Sequence, residues 1–246
     1  MAKPAKFNPH DYESLGIGNL PDVLVDSALD TNARKLNGDA LNGTGIPGTG
    51  WEVQNNGPFQ LATNVHYRTG NFVQPDSVDN HNVMTYTMPD GAQIADPAHG
   101  VDVAAANRGA TSFDYSFSTA HTGAVTIQDF LANGGEFIWK LDLDPTQKND
   151  PLVLHAVYDP LLATGSSDVV WKDSAGHVWI DDDAGNAFVT QNSRNLAFYQ
   201  AFIDTDPHTP GIQPGGVSPA GQYTIESEIV VNHHVVADLT TNLILV

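Results

Sequence analysis

Apolar and polar residues alternate in several short stretches of the chain. Residues 59–67, 113–118 and 136–144 each place a mostly aromatic or aliphatic side chain at every second position, with polar residues between. A period of two turns successive side chains to opposite faces, so one face of each stretch is buried and the other meets polar surroundings. These stretches therefore predict half-buried β-strands.

Turn residues mark further strands and join them into hairpins. Residues 152–158 form an apolar run that ends at Asp159-Pro160, and residues 171–179 carry Asp and Gly between two tryptophans. Residues 222–231 and 235–246 flank the segment Asn232-His233-His234. Such turn signals between β-forming runs are typical of antiparallel hairpins, and the last pair predicts a hairpin at the end of the chain.

Strands at this spacing, without long helices between them, predict an all-β antiparallel β-sandwich of immunoglobulin-like or jelly-roll-like type. Only residues 126–133, which Gly134-Gly135 follow, are typical of a short helix. We expect residues 1–50 to form a flexible N-terminal arm with a Gly-rich loop. Residues 51–246 then form a single β-sandwich domain.

Composition narrows the classes of partner. The 246 residues contain 29 acidic and 10 basic side chains, for a net charge of −19. A chain without a basic stripe is not expected to bind nucleic acid phosphates. No apolar run is long enough for a membrane-spanning helix.

Cysteine is absent, which excludes disulfides, thiolate metal sites and cysteine nucleophiles. The acidic, cysteine-free composition favours an extracellular or cell-surface protein. The first residues lack the apolar core of a signal peptide in this numbering.

Four segments in the C-terminal half carry a resemblance to a known group of proteins. They are Ser112–Phe117, Leu141–Pro145, Gln191–Phe198 and Ala220–Glu226, the last of which runs into the terminal hairpin. Over residues 112–246 the chain resembles uncharacterised, β-rich exported bacterial proteins of the PEP-CTERM-associated type. The resemblance implies a role in the cell envelope or matrix and carries no catalytic residues over. The sequence shows no sorting tail, so sorting to the membrane by such a tail is not expected.

A first calcium site is predicted after the strand at residues 136–144. Asp142, Asp144 and Asp150 place carboxylates on one strand face and in the polar loop that follows it. Calcium binds six to eight oxygen ligands and tolerates irregular geometry. The alternative is a solvated strand whose charges prevent edge-to-edge aggregation.

A second calcium site is predicted at the densest acidic run, Asp181-Asp182-Asp183 with Asn186. Adjacent like charges repel one another unless a cation or water separates them. A turn that begins at an aspartate is the alternative interpretation. Asp204 and Asp206 form a weaker third candidate.

Two further constellations suggest other chemistry. Trp171 and Trp179 flank one hairpin and could form a platform on which a sugar stacks, although core packing is the alternative for tryptophans in strands. Glu226 and Glu228 lie two residues apart and could supply the acid and base of a glycoside hydrolase. The alternative for this pair is a polar outer face of a sheet.

The sequence therefore favours a non-catalytic extracellular structural or adhesive protein that assembles with itself into a filament or layer and is stabilised by calcium. The alternatives are a carbohydrate-binding module that binds a surface glycan and a hydrolase that uses paired carboxylates.

Overall fold

The structure of this protein is a computed structural model. It describes residues 6–12, 14–15, 20–29, 32, 49–67, 73–90, 111–142, 144–148, 150–157, 169–181, 185–195 and 220–246, without the side chains of residues 179–181, 185–186 and 192–195.

Fourteen strands, one α-helix and one 3₁₀ turn at Pro9–Tyr12 make up the described fold. The strands are β1 (Leu24–Ala28), β2 (Thr49–Asn56), β3 (Phe59–Tyr67), β4 (Ser77–Val78), β5 (Val83–Met88), β6 (Thr111–Ser118), β7 (Gly135–Asp142), β8 (Leu152–Val157), β9 (Val169–Lys172), β10 (Val178–Asp181), β11 (Gly185–Asn186), β12 (Val189–Asn195), β13 (Gly221–Val231) and β14 (His234–Leu245). Helix α1 spans Ile127–Ala132.

The strands form two sheets that pack face to face. The six-stranded sheet has the order β1-β2-β3-β6-β12-β11, and the eight-stranded sheet has the order β10-β9-β8-β7-β13-β14-β5-β4. This confirms the predicted all-β sandwich. One neighbouring pair, β14 with β5, is parallel, whereas an antiparallel sandwich was predicted. These two strands are far apart in sequence, so no tight turn forces them into opposite directions.

The structure contains the strand, the hairpin and the helix that local sequence signals predicted. Strand β3 has the bounds predicted from alternation, but both of its faces are buried, whereas a half-buried strand was predicted. The terminal hairpin β13–β14 turns at Asn232 and His233, which both adopt positive φ as a tight hairpin turn requires. Helix α1 begins after Thr126, whose side chain accepts a hydrogen bond from the Asp129 amide.

Aromatic rings fill the space between the sheets. The ring of Trp139 on β7 stacks on Trp171 of β9, with centroids 4.9 Å apart, and meets the edge of Tyr115 on β6 at 4.1 Å. Tyr115 belongs to the opposite sheet, so these contacts join the two layers. Other rings in the same core are Phe59, Phe113, Phe117, Phe130, Phe137, Tyr86 and Tyr223.

The described parts of residues 1–50 lie against the sandwich. Phe7 is buried in the core, 4.9 Å from the ring of Phe130, and its amide donates to the Asp129 carboxylate. Strand β1 adds to the edge of the six-stranded sheet beside β2, and β2 itself begins at Thr49. The rest of the predicted arm and most of the Gly-rich loop at 37–50 lie outside the described residues.

No helix among the described residues combines the length and the apolar character needed to cross a lipid bilayer.

We expect Gly135→Ala to lower the free energy of unfolding by about 1–3 kcal/mol, because overpacking displaces neighbours. A Cβ at Gly135 would lie 2.2 Å from a ring carbon of Phe130. Gly123→Ala is the control, since its Cβ would meet only a Pro58 side-chain atom, at 3.4 Å. Denaturant unfolding of both variants measures the difference; equal stability of the two would contradict the packing described here.

Candidate functional site

The densest group of charged side chains in the described residues lies on the outer face of the eight-stranded sheet. Glu226 and Glu228 alternate on β13 with the core residue Ser227, so both point away from the core. Lys140 on β7 is the cross-strand partner of Glu226, and Asp238 on β14 is the partner of Glu228. Three neighbouring strands therefore bring these four side chains together, and we call them the lysine–carboxylate cluster.

A single ammonium group links two of the carboxylates. The Lys140 Nζ lies 2.5 Å from Glu226 Oε1 and 2.9 Å from Glu228 Oε1. One oxygen of each acid, Glu226, Glu228 and Asp238, lies within 4.8 Å of the others. The lysine thus supplies the positive charge at the point where three acidic groups meet.

Burial and mutual repulsion shift the protonation of this cluster. Burial, with Glu226 and Glu228 nearby, raises the pKa of Asp238 to about 7, although Lys140 opposes the shift. Burial also raises the pKa of Glu228, again against the effect of Lys140. Burial lowers the pKa of Lys140, but its hydrogen bonds to both glutamates outweigh this and leave it above the ordinary value. The cluster therefore holds a charged lysine and an acid that takes up a proton near neutral pH.

This arrangement bears on the hydrolase alternative. Glycoside hydrolysis places two carboxyl groups on either side of a scissile bond. Glu226 and Glu228 instead project side by side from one strand and bind the same ammonium group. The geometry is that of an ion-pair network on a sheet face.

The first predicted calcium site does not assemble as three carboxylates around one point. Asp144 is buried, and its carboxylate accepts hydrogen bonds from the Thr146 amide and hydroxyl and from the Lys148 amide. Asp142 accepts a hydrogen bond from the Asp144 amide at 3.1 Å, and Asp150 is exposed. Asp144 therefore stabilises its own loop with the oxygens that calcium would need.

Of the other residues predicted to bind a sugar or calcium, Trp171 lies in the core, and the side chains of the rest are outside the described part of the chain. Trp171 is 2% exposed and stacked on Trp139, so its ring face is not available to a sugar, which corrects the predicted platform. Trp179 is its cross-strand partner, but its side chain is not described. The side chains of the second calcium site, Asp181, Asp182, Asp183 and Asn186, and those of Asp204 and Asp206, also lie outside the described residues.

A buried His–Asp pair lies on the outer face of the six-stranded sheet. The Nε2 atom of His66 lies 3.0 Å from Asp114 Oδ1, and its Nδ1 atom lies 2.8 Å from the Tyr67 carbonyl oxygen. Burial lowers the pKa of His66, but the Asp114 carboxylate outweighs this and raises it. Ser112 is the cross-strand neighbour of His66, yet both ring nitrogens are already engaged. The histidine is therefore not placed to take a proton from that hydroxyl.

A second buried acid lies between the sheets. Glu52 on β2 is 1% exposed, and neither of its carboxyl oxygens makes a well-aligned hydrogen bond, although the Tyr86 hydroxyl of β5 lies near. Burial, with a smaller effect of Asp26, raises the pKa of Glu52 to about 7, while Tyr86 opposes the shift. Burial also raises the pKa of Tyr86. Glu52 is thus a carboxylic acid whose ionisation the core disfavours.

No protein-family model matches this chain, and a search of curated proteins found no similar sequence. The resemblance to PEP-CTERM-associated proteins stays a prediction.

Sequence reasoning identified Glu226 and Glu228 but missed their partners. Lys140 lies on a predicted strand, and only the pairing of β7 with β13 brings it to the glutamates. Asp238 faces Glu228 because a bulge between Ile229 and Val230 shifts the hairpin register by one residue. Counting back from the turn without that bulge would have placed Ala237 there instead.

We expect Glu52→Gln to flatten part of the pH dependence of stability. Because the pKa of Glu52 is raised, the native state holds this proton to a higher pH than the unfolded state does. The protonated Glu52 therefore adds to the free energy of unfolding below pH 4.5, and this contribution is lost as the pH rises towards 7. The loss is on the order of 3 kcal/mol. Urea unfolding of wild type and variant at pH 5 and pH 8 measures it.

The half-exposed glutamate Glu136 provides a control, because Glu136→Gln makes the same chemical change outside the core and removes only a surface pair with His155, 3.4 Å away, of a kind that contributes little. We expect that control to keep the wild-type profile. If Glu52→Gln were as sensitive to alkaline pH as wild type, the protonated state assigned to Glu52 would be wrong.

We expect Lys140→Met to destabilise the protein by about 1–3 kcal/mol, because it leaves three acids without their shared counter-charge, although partial exposure of the lysine reduces the cost. The loss should be larger at pH 8 than at pH 5, where Asp238 is protonated. Adding Glu228→Gln to Lys140→Met should restore part of the stability. Thermal unfolding of the single and double variants at both pH values measures this, and additive losses would argue against the cluster.

Proposed function

We propose that this protein is a non-catalytic structural or adhesive domain that works outside the cell or at its surface, and that it binds through the outer face of its eight-stranded sheet. The observation that carries the proposal is a row of hydrogen-bonding side chains across four adjacent strands. The row runs from Thr85 on β5 through Asn242 and Thr224 to Asp142 on β7, each the cross-strand partner of the next.

Neighbouring rows extend this surface, which we call the polar face. The Thr224 hydroxyl donates to Asn242 Oδ1 at 2.9 Å, so the side chains already hold one another in position. On either side, Thr87, Gln222 and Thr240 add further hydroxyl and amide groups, although Ile244 and Val83 interrupt these two rows. Paired strands lie about 4.8 Å apart, so the donors and acceptors repeat regularly. A regular polar surface suits contact with another extended polar surface.

The edges of the sandwich favour association through this face rather than by strand addition. Strands β4 and β11, at the ends of their sheets, have two residues each, and β10, at the other end of the eight-stranded sheet, has four. Strand β1 pairs irregularly with β2, and Asp26 within it has a φ of 53°. Short and irregular edge strands prevent edge-to-edge pairing. These edges support a contact through the sheet face rather than by strand addition.

A second copy of the chain is the partner that we propose. Copies that each carry a net charge of −19 repel one another, and divalent cations reduce that repulsion. Calcium therefore promotes the contact even without a site inside either copy. A surface glycan offers similar hydroxyl chemistry to the polar face and is the alternative partner.

We expect the wild-type protein to form larger particles as protein and calcium concentrations rise, measured by light scattering and sedimentation. Thr224→Arg should reduce this association at least tenfold, because a long side chain then stands in the middle of the central row. Ser174→Arg, with the same change of charge at an exposed turn, is the control and should associate as wild type does.

Two outcomes would contradict parts of this proposal. A protein that stays monomeric at high concentration with calcium does not assemble with itself, and glycan binding that Thr224→Arg abolishes would then identify the alternative. Association of Thr224→Arg at the wild-type level would show that the polar face is not the contact.

A further inference from the structure

The outer face of the six-stranded sheet is largely polar but buried along β3, β6 and β12, whereas Trp51 and Val53 make it apolar on β2. Every second side chain on β6 points away from the core there, and each of them is at most 3% exposed. The facing positions of β3 and β12 continue this polar layer, except for the apolar side chains of Ala62 and Val189. The buried polar side chains of this face are Gln60, Asn64, His66, Ser112, Asp114, Ser116, Ser118 and Gln191.

Three of these side chains carry polar atoms without a hydrogen-bond partner. The atoms without a partner are Asn64 Oδ1, Asp114 Oδ2 and both amide atoms of the Gln191 side chain. All three side chains are 0% exposed. Buried polar groups in native proteins almost always have a partner, and those without one indicate a bound water, ion or ligand. Several such atoms on one face are therefore a signal of something that binds there.

The strand register places Asp114 in the middle, beside Asn64 on one neighbouring strand and diagonal to Gln191 on the other. Asn64 on β3 is the cross-strand partner of Asp114 on β6, so their Cβ atoms are expected roughly 4.5–5.5 Å apart. Gln191 on β12 faces Ser116, which lies two residues along β6 from Asp114 on the same side of the sheet. A diagonal neighbour is about 7–8 Å away, within reach of the long glutamine side chain.

The hydrogen bonds that Asn64 and Asp114 already make determine which of their side-chain oxygens remain without a partner. The Asn64 Nδ2 group donates to the Gly50 carbonyl, and Asn64 Oδ1 is therefore the atom left over. His66 binds Asp114 Oδ1 and is itself held at the Tyr67 carbonyl, which leaves Asp114 Oδ2. Two acceptor oxygens are thus held in place by their surroundings, as hydrogen bonds orient the ligands of metal sites.

We propose that Asp114 Oδ2 and Gln191 Oε1 bind a hard cation, calcium in the first place, and that a water bound to this cation reaches Asn64 Oδ1 on the other side of Asp114. Carboxylate and amide oxygens are the ligands of such cations, and calcium accepts the irregular geometry that a sheet face provides. The Ser116 hydroxyl, on the cross-strand partner of Gln191, offers a further oxygen. With a single carboxylate, and that one shared with His66, the site belongs to the weak range of roughly 10⁻⁴–10⁻³ M known from extracellular modules.

This site differs from both calcium sites predicted from aspartate clusters. It also differs from the lysine–carboxylate cluster, where Lys140 already supplies the positive charge. The site lies within one copy of the chain, so it does not depend on the association proposed above. Dilute, monomeric protein tests it alone.

The experiment is thermal unfolding of dilute protein, with calcium and with chelator at equal ionic strength, beside calorimetric titration with CaCl₂. Calcium at about ten times its dissociation constant should raise the unfolding midpoint of the wild type by about 3–6 °C, since a ligand that binds only the native state stabilises it. Magnesium should act more weakly, because it demands a regular octahedron.

Gln191→Met is the decisive variant, because it removes both unpartnered amide atoms at similar volume. We expect it to unfold in chelator at the wild-type midpoint or above, since an unsatisfied buried amide is costly, and to lose most of the calcium-induced rise. Gln60→Met is the control on the same face; its amide already donates to Asn55 at 2.9 Å, and it should keep the full rise.

Two results would overturn the site. If calcium leaves the wild-type midpoint unchanged and titration shows no heat of binding, water satisfies these atoms. If calcium raises the midpoints of wild type and Gln191→Met equally, the cation binds elsewhere, and the polar face can then still be tested by association.

Discussion

Burial of aromatic rings between the two sheets is the interaction on which the rest of the structure depends. Trp139 on β7 stacks on Trp171 of β9, two strands away in the same sheet, and contacts Tyr115 of the other sheet. The same ring therefore makes contacts within one layer and between the two layers. Once these rings face inwards, the alternation of β-strands sends every intervening side chain outwards. The chemistry of both outer faces is therefore a consequence of the aromatic core.

The two outer faces respond differently to that constraint. On the eight-stranded sheet, charged groups such as Lys140 and Glu226 stay partly in contact with water, where an ion pair costs little to form. On β3, β6 and β12 of the six-stranded sheet the described outward polar groups are buried, and Asp114 is the one carboxylate among their amides, hydroxyls and the His66 ring. The first face suits contact with a partner, and the second suits a small ligand enclosed within the fold.

Three acids show how environment, rather than residue type, decides what a carboxyl group does. Asp144 accepts hydrogen bonds from amide and hydroxyl donors of its own loop and thereby fixes that loop. Asp238 shares a lysine with two glutamates and takes up a proton near neutral pH. Glu52 lies between the sheets without a well-aligned partner, so the core favours its neutral form. Ionisation of Asp238 and of Glu52, at two separate places in the sandwich, therefore lowers the free energy of unfolding as the pH becomes alkaline.

The sequence by itself determined the strand at 59–67, the terminal hairpin and the helix after Thr126, because alternation, turn residues and capping act over a few residues. It also placed Glu226 and Glu228 on one face of one strand. Only the tertiary structure decided that β5 runs parallel to β14, that Trp171 is core and that Asp144 stabilises its own loop. The hairpin bulge likewise decided that Asp238 faces Glu228. These outcomes depend on which distant strands pair and in what register, and long-range packing sets both.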